Sequence, residues 1–175
     1  LCTFRCSKTR TYQIEMTGTV LGGLKARELH GPIRKMATTH TMTLGDPTLD
    51  SDHDELLRLS DRLKDVAGRD QQLSALDAVI AHAVRHFAVE DRELREMTHG
   101  NVQCHIDEHV NVLQSLNEVR ALLTSGTDAA GNSRLLRELA AELLRWLPDH
   151  VHEMDAAVAA FRTKRRFGGS PVQVN

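Results

Sequence analysis

Apolar residues recur every three or four positions in four stretches of this chain, with polar residues between them. That spacing places the apolar side chains along one face of an α-helix, so each stretch is predicted to form an amphipathic helix. Glycine and asparagine residues separate the stretches, as is typical of helix ends and turns. The predicted helices cover about residues 50–67, 70–99, 103–123 and 133–161.

The connections between these helices are short, which makes neighbouring helices antiparallel. We therefore predict an all-α fold, an up-down-up-down antiparallel four-helix bundle. Asp50 or Ser51 is expected to cap the first helix, and Asn132 or Ser133 the fourth. Pro148 lies within the fourth helix, and we expect it to be tolerated there at the cost of a kink.

The composition supports a globular helical protein. Of the 175 residues, 41 % are apolar, 26 % are charged and only 3 % are aromatic, which favours helices over sheet. No apolar run reaches the roughly 20 residues needed to span a bilayer, and the net charge of −2 gives no indication of nucleic-acid binding. Since the N-terminus shows no continuous apolar leader, we expect a cytoplasmic protein without membrane association. Three cysteines without a CxxC pair argue against a disulfide scaffold, and Cys104 is expected to be a small buried filler.

The two ends of the chain differ from its middle. Residues 1–35 hold seven Lys/Arg and two Asp/Glu, lack a sustained period and contain Gly-Gly and Gly-Pro pairs. We interpret residues 1–41 as an N-terminal extension that is disordered or not part of the domain. Its alternatives are an ordinary tail, a processed piece, a mis-assigned start and an Arg-rich transit peptide. The predicted domain covers residues 42–162, and residues 163–175 form a basic C-terminal tail.

Histidines and carboxylates recur on the predicted helices at spacings that place them on shared faces. His86 and Glu90 are four residues apart, as are His105 and His109, and a residue four along a helix lies on the same face. In an antiparallel bundle the start of one helix lies beside the end of the next, so all of these groups can meet at one end. The candidate metal ligands are His53, His86, Glu90, His105, His109, His150 and Asp155.

Imidazole nitrogens and carboxylate oxygens form a mixed ligand set that suits iron and its neighbours. Seven such groups are too many for one tetrahedral zinc ion, so we expect two metal ions with the carboxylates as bridges. One position does not follow from spacing, because five residues turn a helix by about 140° and separate Asp155 from His150. Asp149 and Glu153 compete with Asp155 on geometry alone. The histidines expected not to bind metal are His30, His40, His82, His99 and His152.

The motifs around these residues resemble the hemerythrin family, in particular its bacterial single-domain members, over roughly residues 42–162. The segment LDSDH matches the motif of the family's first helix, and the others match the family patterns HFxxE, HxxEH and WLxxHxxxxD in the same order. The matching segments are 49–53 (LDSDH), 86–90 (HFAVE), 105–109 (HIDEH) and 146–155 (WLPDHVHEMD).

The resemblance implies a centre of two non-haem iron ions (Fe²⁺/Fe³⁺) with a bridging hydroxide or oxo group. The implied ligands are His105, His109 and His150 for one iron, His53 and His86 for the other, and Glu90 and Asp155 as bridges. The implied function is reversible dioxygen binding for oxygen storage or delivery, by a protein that is not an enzyme. An oxygen-requiring enzyme or a signalling protein is then the expected partner.

Three alternatives stay open at this point. The chain could be an oxygen-sensing or redox-sensing signalling module. It could instead be a di-iron oxidoreductase that acts on nitric oxide, peroxide or iron. The site could also hold zinc or another metal, because the usual order of divalent affinities favours zinc and copper over ferrous iron.

Overall fold

The computed structural model describes residues 2–4, 12–14, 42–98, 100–126 and 128–168. Four helical segments form the bundle, and the fourth continues through a π-helical turn into a final helix. The helices are α1 (Pro47–Arg62), α2 (Arg69–Glu96), α3 (Val102–Ser125), α4 (Ala129–His150) and α5 (Ala156–Phe167), with the π-turn at Val151–Asp155. The predicted all-α four-helix bundle is thereby confirmed.

Two three-residue strands, β1 (Cys2–Phe4) and β2 (Tyr12–Ile14), lie within the predicted N-terminal extension. They pair antiparallel, with Thr3 opposite Gln13. The rest of residues 1–41 and of the tail beyond residue 168 lies outside the described residues, so the predicted domain limits stay predictions. No helix in the described part of the chain combines the length and the apolar character needed to cross a bilayer.

The helix α1 begins earlier than predicted, because a different aspartate caps it. The side chain of Asp46 accepts hydrogen bonds from the backbone N–H groups of Thr48 and Leu49, at 3.1 Å each. Pro47 occupies the first helical position, where its missing N–H has no cost. The predicted cap at Asp50 was therefore wrong: that carboxylate instead accepts from the backbone of the segment before the helix.

The fourth helical segment also has other limits than predicted. α4 begins after Asp128, whose side chain accepts from the N–H of Ala130 at 3.0 Å, so the cap predicted at residues 132–133 was wrong. At the other end the helix passes through Pro148 and the π-turn and continues to Phe167. Gly168 ends it in the left-handed conformation (φ 67°), which glycine adopts without strain.

Two apolar clusters fill the interior at different heights along the helices. The larger contains most of the buried leucines, among them Leu56, Leu76 and Leu136. The smaller consists of Leu49, Leu94, Val158 and Ala159. The candidate ligands His53, Glu90 and Asp155 lie between the two clusters in sequence, as His53 does between Leu49 and Leu56. His86 and His150 each directly precede the last residue that their helix contributes to the larger cluster. The polar layer is therefore enclosed by apolar packing above and below.

Replacement of a leucine in the larger cluster tests this packing. Leu136 is fully buried, so Leu136→Ala should lower the free energy of unfolding by about 2–5 kcal/mol through lost apolar contact and the cavity left behind. The matched control is Leu122→Ala, because Leu122 is 43 % exposed and its loss should cost about 1 kcal/mol at most. Chemical denaturation measures both values, and equal losses in the two variants would contradict the assigned core.

Candidate metal centre

The structure brings all seven sequence-predicted ligand residues together inside the bundle, and all seven are buried. They form two overlapping groups, and within each group one donor atom per residue lies within 4.8 Å of every other. The larger group holds Glu90, His105, His109, His150 and Asp155, and the smaller holds His53, His86, Glu90 and Asp155. Glu90 and Asp155 belong to both groups, which is the arrangement that two bridging carboxylates require.

The larger group, which we call the three-histidine half, is compact. The Nε2 atom of His150 lies 3.2 Å from that of His105 and 3.3 Å from that of His109. Asp155 Oδ1 lies 3.0 Å from His105 Nε2 and 3.2 Å from His150 Nε2. Glu90 Oε2 lies 3.5 Å from His109 Nε2. All three imidazoles thus direct the same ring nitrogen towards the two shared carboxylates.

The smaller group, the two-histidine half, adjoins the same two carboxylates. His53 Nε2 is 3.0 Å from Asp155 Oδ2, the oxygen that does not face His105. His86 Nε2 is 3.5 Å from Glu90 Oε2. The rings of His53 and His86 meet edge to face, with centroids 5.1 Å apart. Each half therefore uses its own histidines and shares the same two acids.

The π-turn explains how Asp155 reaches the site. In an α-helix His150 and Asp155 would point in different directions, but a π-turn bonds residues five apart and so brings their directions closer. The two competing acids are excluded from both donor groups: Glu153 is exposed and Asp149 is half-buried. One extra residue in the helix thus allows His150 and Asp155 to face the same site.

Several buried polar atoms of this layer have no hydrogen-bond partner within the described part of the chain. They are His53 Nδ1 and Nε2, His86 Nε2 and both carboxylate oxygens of Glu90 and of Asp155. The close approaches of His53, His105 and His150 to Asp155 therefore lack hydrogen-bonding geometry. An unpartnered buried polar group costs about 1–3 kcal/mol, and more when it is charged. Buried nitrogen and oxygen atoms that converge without hydrogen-bond partners fit a bound cation, so the donor set suits a pair of metal ions.

Burial keeps most of the imidazoles neutral, which is the form that binds metal. It lowers the pKa of His86 to about 3. It also lowers the pKa of His109 to about 4, although the hydrogen bond to Asp91 opposes that shift. The pKa of His105 is lowered too, again chiefly by burial. These three rings therefore offer free lone pairs at neutral pH.

The shared acids and His150 shift one another's pKa values. Burial by itself lowers the pKa of His150, but Asp155 and then Glu108 outweigh it and raise the value to about 10. Burial raises the pKa of Asp155, yet the charge of His150 and the close approach of His105 and His53 hold it well below its usual range. Burial and the neighbouring Asp155 raise the pKa of Glu90. Without metal, a proton on His150 thus supplies positive charge that a cation would otherwise bring.

Sequence reasoning missed the residues that contact Nδ1 of the ligand histidines, the ring nitrogen that faces away from the shared carboxylates. His109 Nδ1 lies 2.8 Å from Asp91 Oδ1, and His150 Nδ1 lies 3.4 Å from Glu108 Oε1. Trp146 Nε1 donates to the same Glu108 oxygen at 2.6 Å. Glu108 could have been found from its spacing, since it is three residues after His105 and so lies on the inward face. Asp91 directly follows a ligand and carries no such periodic signal.

The remaining histidines lie apart from both donor groups or outside the described residues. His82 is buried, but its Nε2 atom lies 2.9 Å from the backbone carbonyl of Asp52. His152 is exposed on the π-turn. His30, His40 and His99 lie outside the described residues. Cys104 differs from expectation, since it is half-buried and disulfide-bonded rather than a buried thiol.

Comparison with known proteins gives two matches. The family model described as the hemerythrin HHE cation binding domain matches residues 44–161. A protein of Ralstonia nicotianae named bacteriohemerythrin is 34 % identical over 127 residues, which cover 73 % of this chain and 88 % of that protein. No solved structure matches the chain. The matched residues 44–161 include all five helices up to the middle of α5 and every candidate ligand.

Removal of the tryptophan N–H tests the contact with Glu108. Hydrogen bonds from His150 and Trp146 outweigh burial and hold the pKa of Glu108 below its usual value. Trp146→Phe leaves that buried carboxylate without one donor, so the free energy of unfolding should fall by about 1–3 kcal/mol. Urea denaturation of the metal-free protein measures the change.

The control for this variant is Gln114→Ala, which removes an exposed hydrogen bond to Glu118. It should cost less than about 0.5 kcal/mol. A loss in Trp146→Phe no greater than in the control would show that the buried hydrogen bond contributes nothing.

Proposed function

We propose that this chain, which belongs to the hemerythrin family, binds two iron ions between its helices and binds dioxygen reversibly at that centre. The observation that carries the proposal is the pair of donor groups that share Glu90 and Asp155. A single metal ion would not account for two separate sets of histidines around the same two carboxylates. The identity of the metal and the reversible binding are proposals.

We assign His105, His109 and His150 to one iron and His53 and His86 to the other. Glu90 and Asp155 would bridge the two ions, because each lies near histidines of both halves. The donor set contains nitrogen and oxygen but no sulfur. Such a set suits iron, whereas structural zinc sites are typically rich in cysteine thiolates. Seven donors also exceed the four that a tetrahedral zinc ion takes.

The unequal halves support dioxygen as the ligand. Counting the shared acids, the three-histidine half offers five donors and the two-histidine half four. We place the external ligand at the half with fewer donors, where the protein leaves one more position free. When bound, the iron pair would supply the two electrons that reversible dioxygen binding requires.

The protein's contribution to reversibility is the exclusion of water. The ligand residues His53, Glu90 and Asp155 are all fully buried between the two apolar clusters. Phe87 stacks on His109 with ring centroids 4.0 Å apart and nearly parallel planes, so an apolar ring covers that ligand. A dry, apolar enclosure slows the hydrolytic side reactions that would consume bound oxygen.

We propose oxygen storage or delivery rather than turnover, with an oxygen-requiring enzyme as the expected recipient. The relative from Ralstonia nicotianae supports this by its name, bacteriohemerythrin. A carrier releases the oxygen that it takes up, whereas an oxidoreductase consumes it and a sensing module changes its affinity for a partner. The cytoplasmic location stays a prediction from the sequence.

Purification in air followed by metal analysis tests the proposal directly. We expect two iron ions per chain and a visible absorption band that disappears when oxygen is removed and returns when it is readmitted. The amount of oxygen released should equal the amount bound. Two zinc ions in place of iron, or steady oxygen consumption with added reductant, would contradict the proposed carrier.

A histidine pair four residues apart on α2 tests the ligand assignment. His86→Ala should retain one iron per chain and lose oxygen binding while the helical content stays unchanged, because only one half loses a donor. The matched control is His82→Gln, which replaces a buried histidine outside both donor groups by a side chain that can still bond the Asp52 carbonyl. It should keep two irons and the oxygen response. Two irons in His86→Ala would refute the assignment of His86.

A further inference from the structure

We infer that the two metal ions are bound in two unequal steps, the first in the three-histidine half, and that Asp91 and Glu108 are the positioning residues responsible for much of this difference. The inference rests on the proposed two-metal centre and adds an order of loading to it. It arises from the contacts behind the histidines, which differ between the two halves.

Asp91 fixes the ring of His109. Its Oδ1 atom lies 2.8 Å from His109 Nδ1, while the opposite ring nitrogen faces Glu90. A carboxylate in this place holds the tautomer that leaves Nε2 free for metal and makes the imidazole more basic. The ring also stacks on Phe87, so it has little rotational freedom left to lose when a metal ion binds.

Glu108 contacts the corresponding ring nitrogen of His150 at a longer distance, and a hydrogen bond from Trp146 holds Glu108 in place. Its Oε1 atom lies 3.4 Å from His150 Nδ1 and accepts the indole N–H of Trp146 at 2.6 Å. The indole and the His150 ring are 4.4 Å apart between centroids. Two of the three imidazoles in this half are therefore oriented before metal arrives, which lowers the entropy cost of binding.

The two-histidine half lacks such support in the described part of the chain. His53 Nδ1 is buried and has no hydrogen-bond partner there. The nearest carboxylate oxygen to His86 Nδ1 is Oδ2 of Asp52 at 3.6 Å, which is too long for a hydrogen bond. Asp52 is also 38 % exposed, so its charge is weakened by water. Neither imidazole is fixed by a carboxylate as His109 is.

The shared acids add to the difference. The first ion can draw on both Glu90 and Asp155 together with three imidazoles, and it neutralises the negative charge of the site. The second ion then meets two imidazoles, carboxylates already bound on one side, and a neighbouring cation in a buried, low-dielectric layer. A chain with one ion in the three-histidine half is therefore a distinct species on the loading path.

Titration of the metal-free protein with Co²⁺ tests this order, because Co²⁺ can be titrated without oxygen and does not readily change its oxidation state. Trp146 is the chain's only tryptophan and lies against His150, so its fluorescence reports an ion in the three-histidine half. We expect the first equivalent of Co²⁺ to bind at least about tenfold more tightly than the second and to cause most of the quenching. Cobalt absorption bands in the visible count both ions.

Three carboxamide variants separate positioning from general stability. Asp91→Asn and Glu108→Gln should each weaken the first step about ten- to hundredfold, as removal of a supporting carboxylate does elsewhere. The matched control is Asp52→Asn in the other half, which should leave the first step unchanged and alter the second less than about threefold. Circular dichroism verifies that each variant keeps its helical content. If Glu108→Gln fails to fold, Asp91→Asn still decides.

The outcomes distinguish this inference from the proposed function. Two Co²⁺ ions bound with equal affinity, or a first equivalent that leaves Trp146 unquenched, would overturn the order of loading and leave the two-metal centre intact. An Asp91→Asn variant with an unchanged first step would overturn the positioning role. Saturation below two ions per chain would contradict the two-metal centre, and the inference with it.

Discussion

The bundle depends on the burial of a polar layer that its own side chains cannot satisfy. Carboxylates and imidazoles from all four helical segments converge between two apolar clusters, and several of their atoms lack hydrogen-bond partners in the described residues. Such a layer is unfavourable unless a cation binds within it. Metal binding and helix packing are therefore linked, because each ion would join residues from different helices.

Much of the fold and of the candidate ligand set could be predicted, because the spacing of residues along a helix determines which of them share a face. The four-residue separations of His86 from Glu90 and of His105 from His109 are local, and they fix a shared face wherever the helix lies in the bundle. The antiparallel order of the helices then places those faces at one height. Helix starts were predicted less well, since Asp46 and Asp50 are both good capping residues and only the surrounding contacts decide between them.

The contacts between helices behind the ligands could not be predicted for a different reason. Asp91 reaches a histidine on another helix, and the hydrogen bond from Trp146 to Glu108 spans α3 and α4. Such pairs depend on how two helices are rotated and shifted against each other, which no spacing within one helix reveals. These contacts also make the two halves of the centre unequal, whereas the ligand types alone show only a difference of one histidine.

The π-turn sets the orientation of every residue that follows it in the helix. It amounts to one extra residue in an otherwise regular helix. If the same residues 151–155 formed a regular α-helix instead, every later residue would be rotated by roughly 100° around the axis, the angle that one residue adds to an α-helix. Asp155 would leave the layer, and Arg162 would lose its ion pairs with Asp46 and Glu93 at the far end. The π-turn is thus the less regular form of these residues but the form that keeps Asp155 in the layer, so the contacts on either side of it hold a local irregularity that helix stability alone would remove.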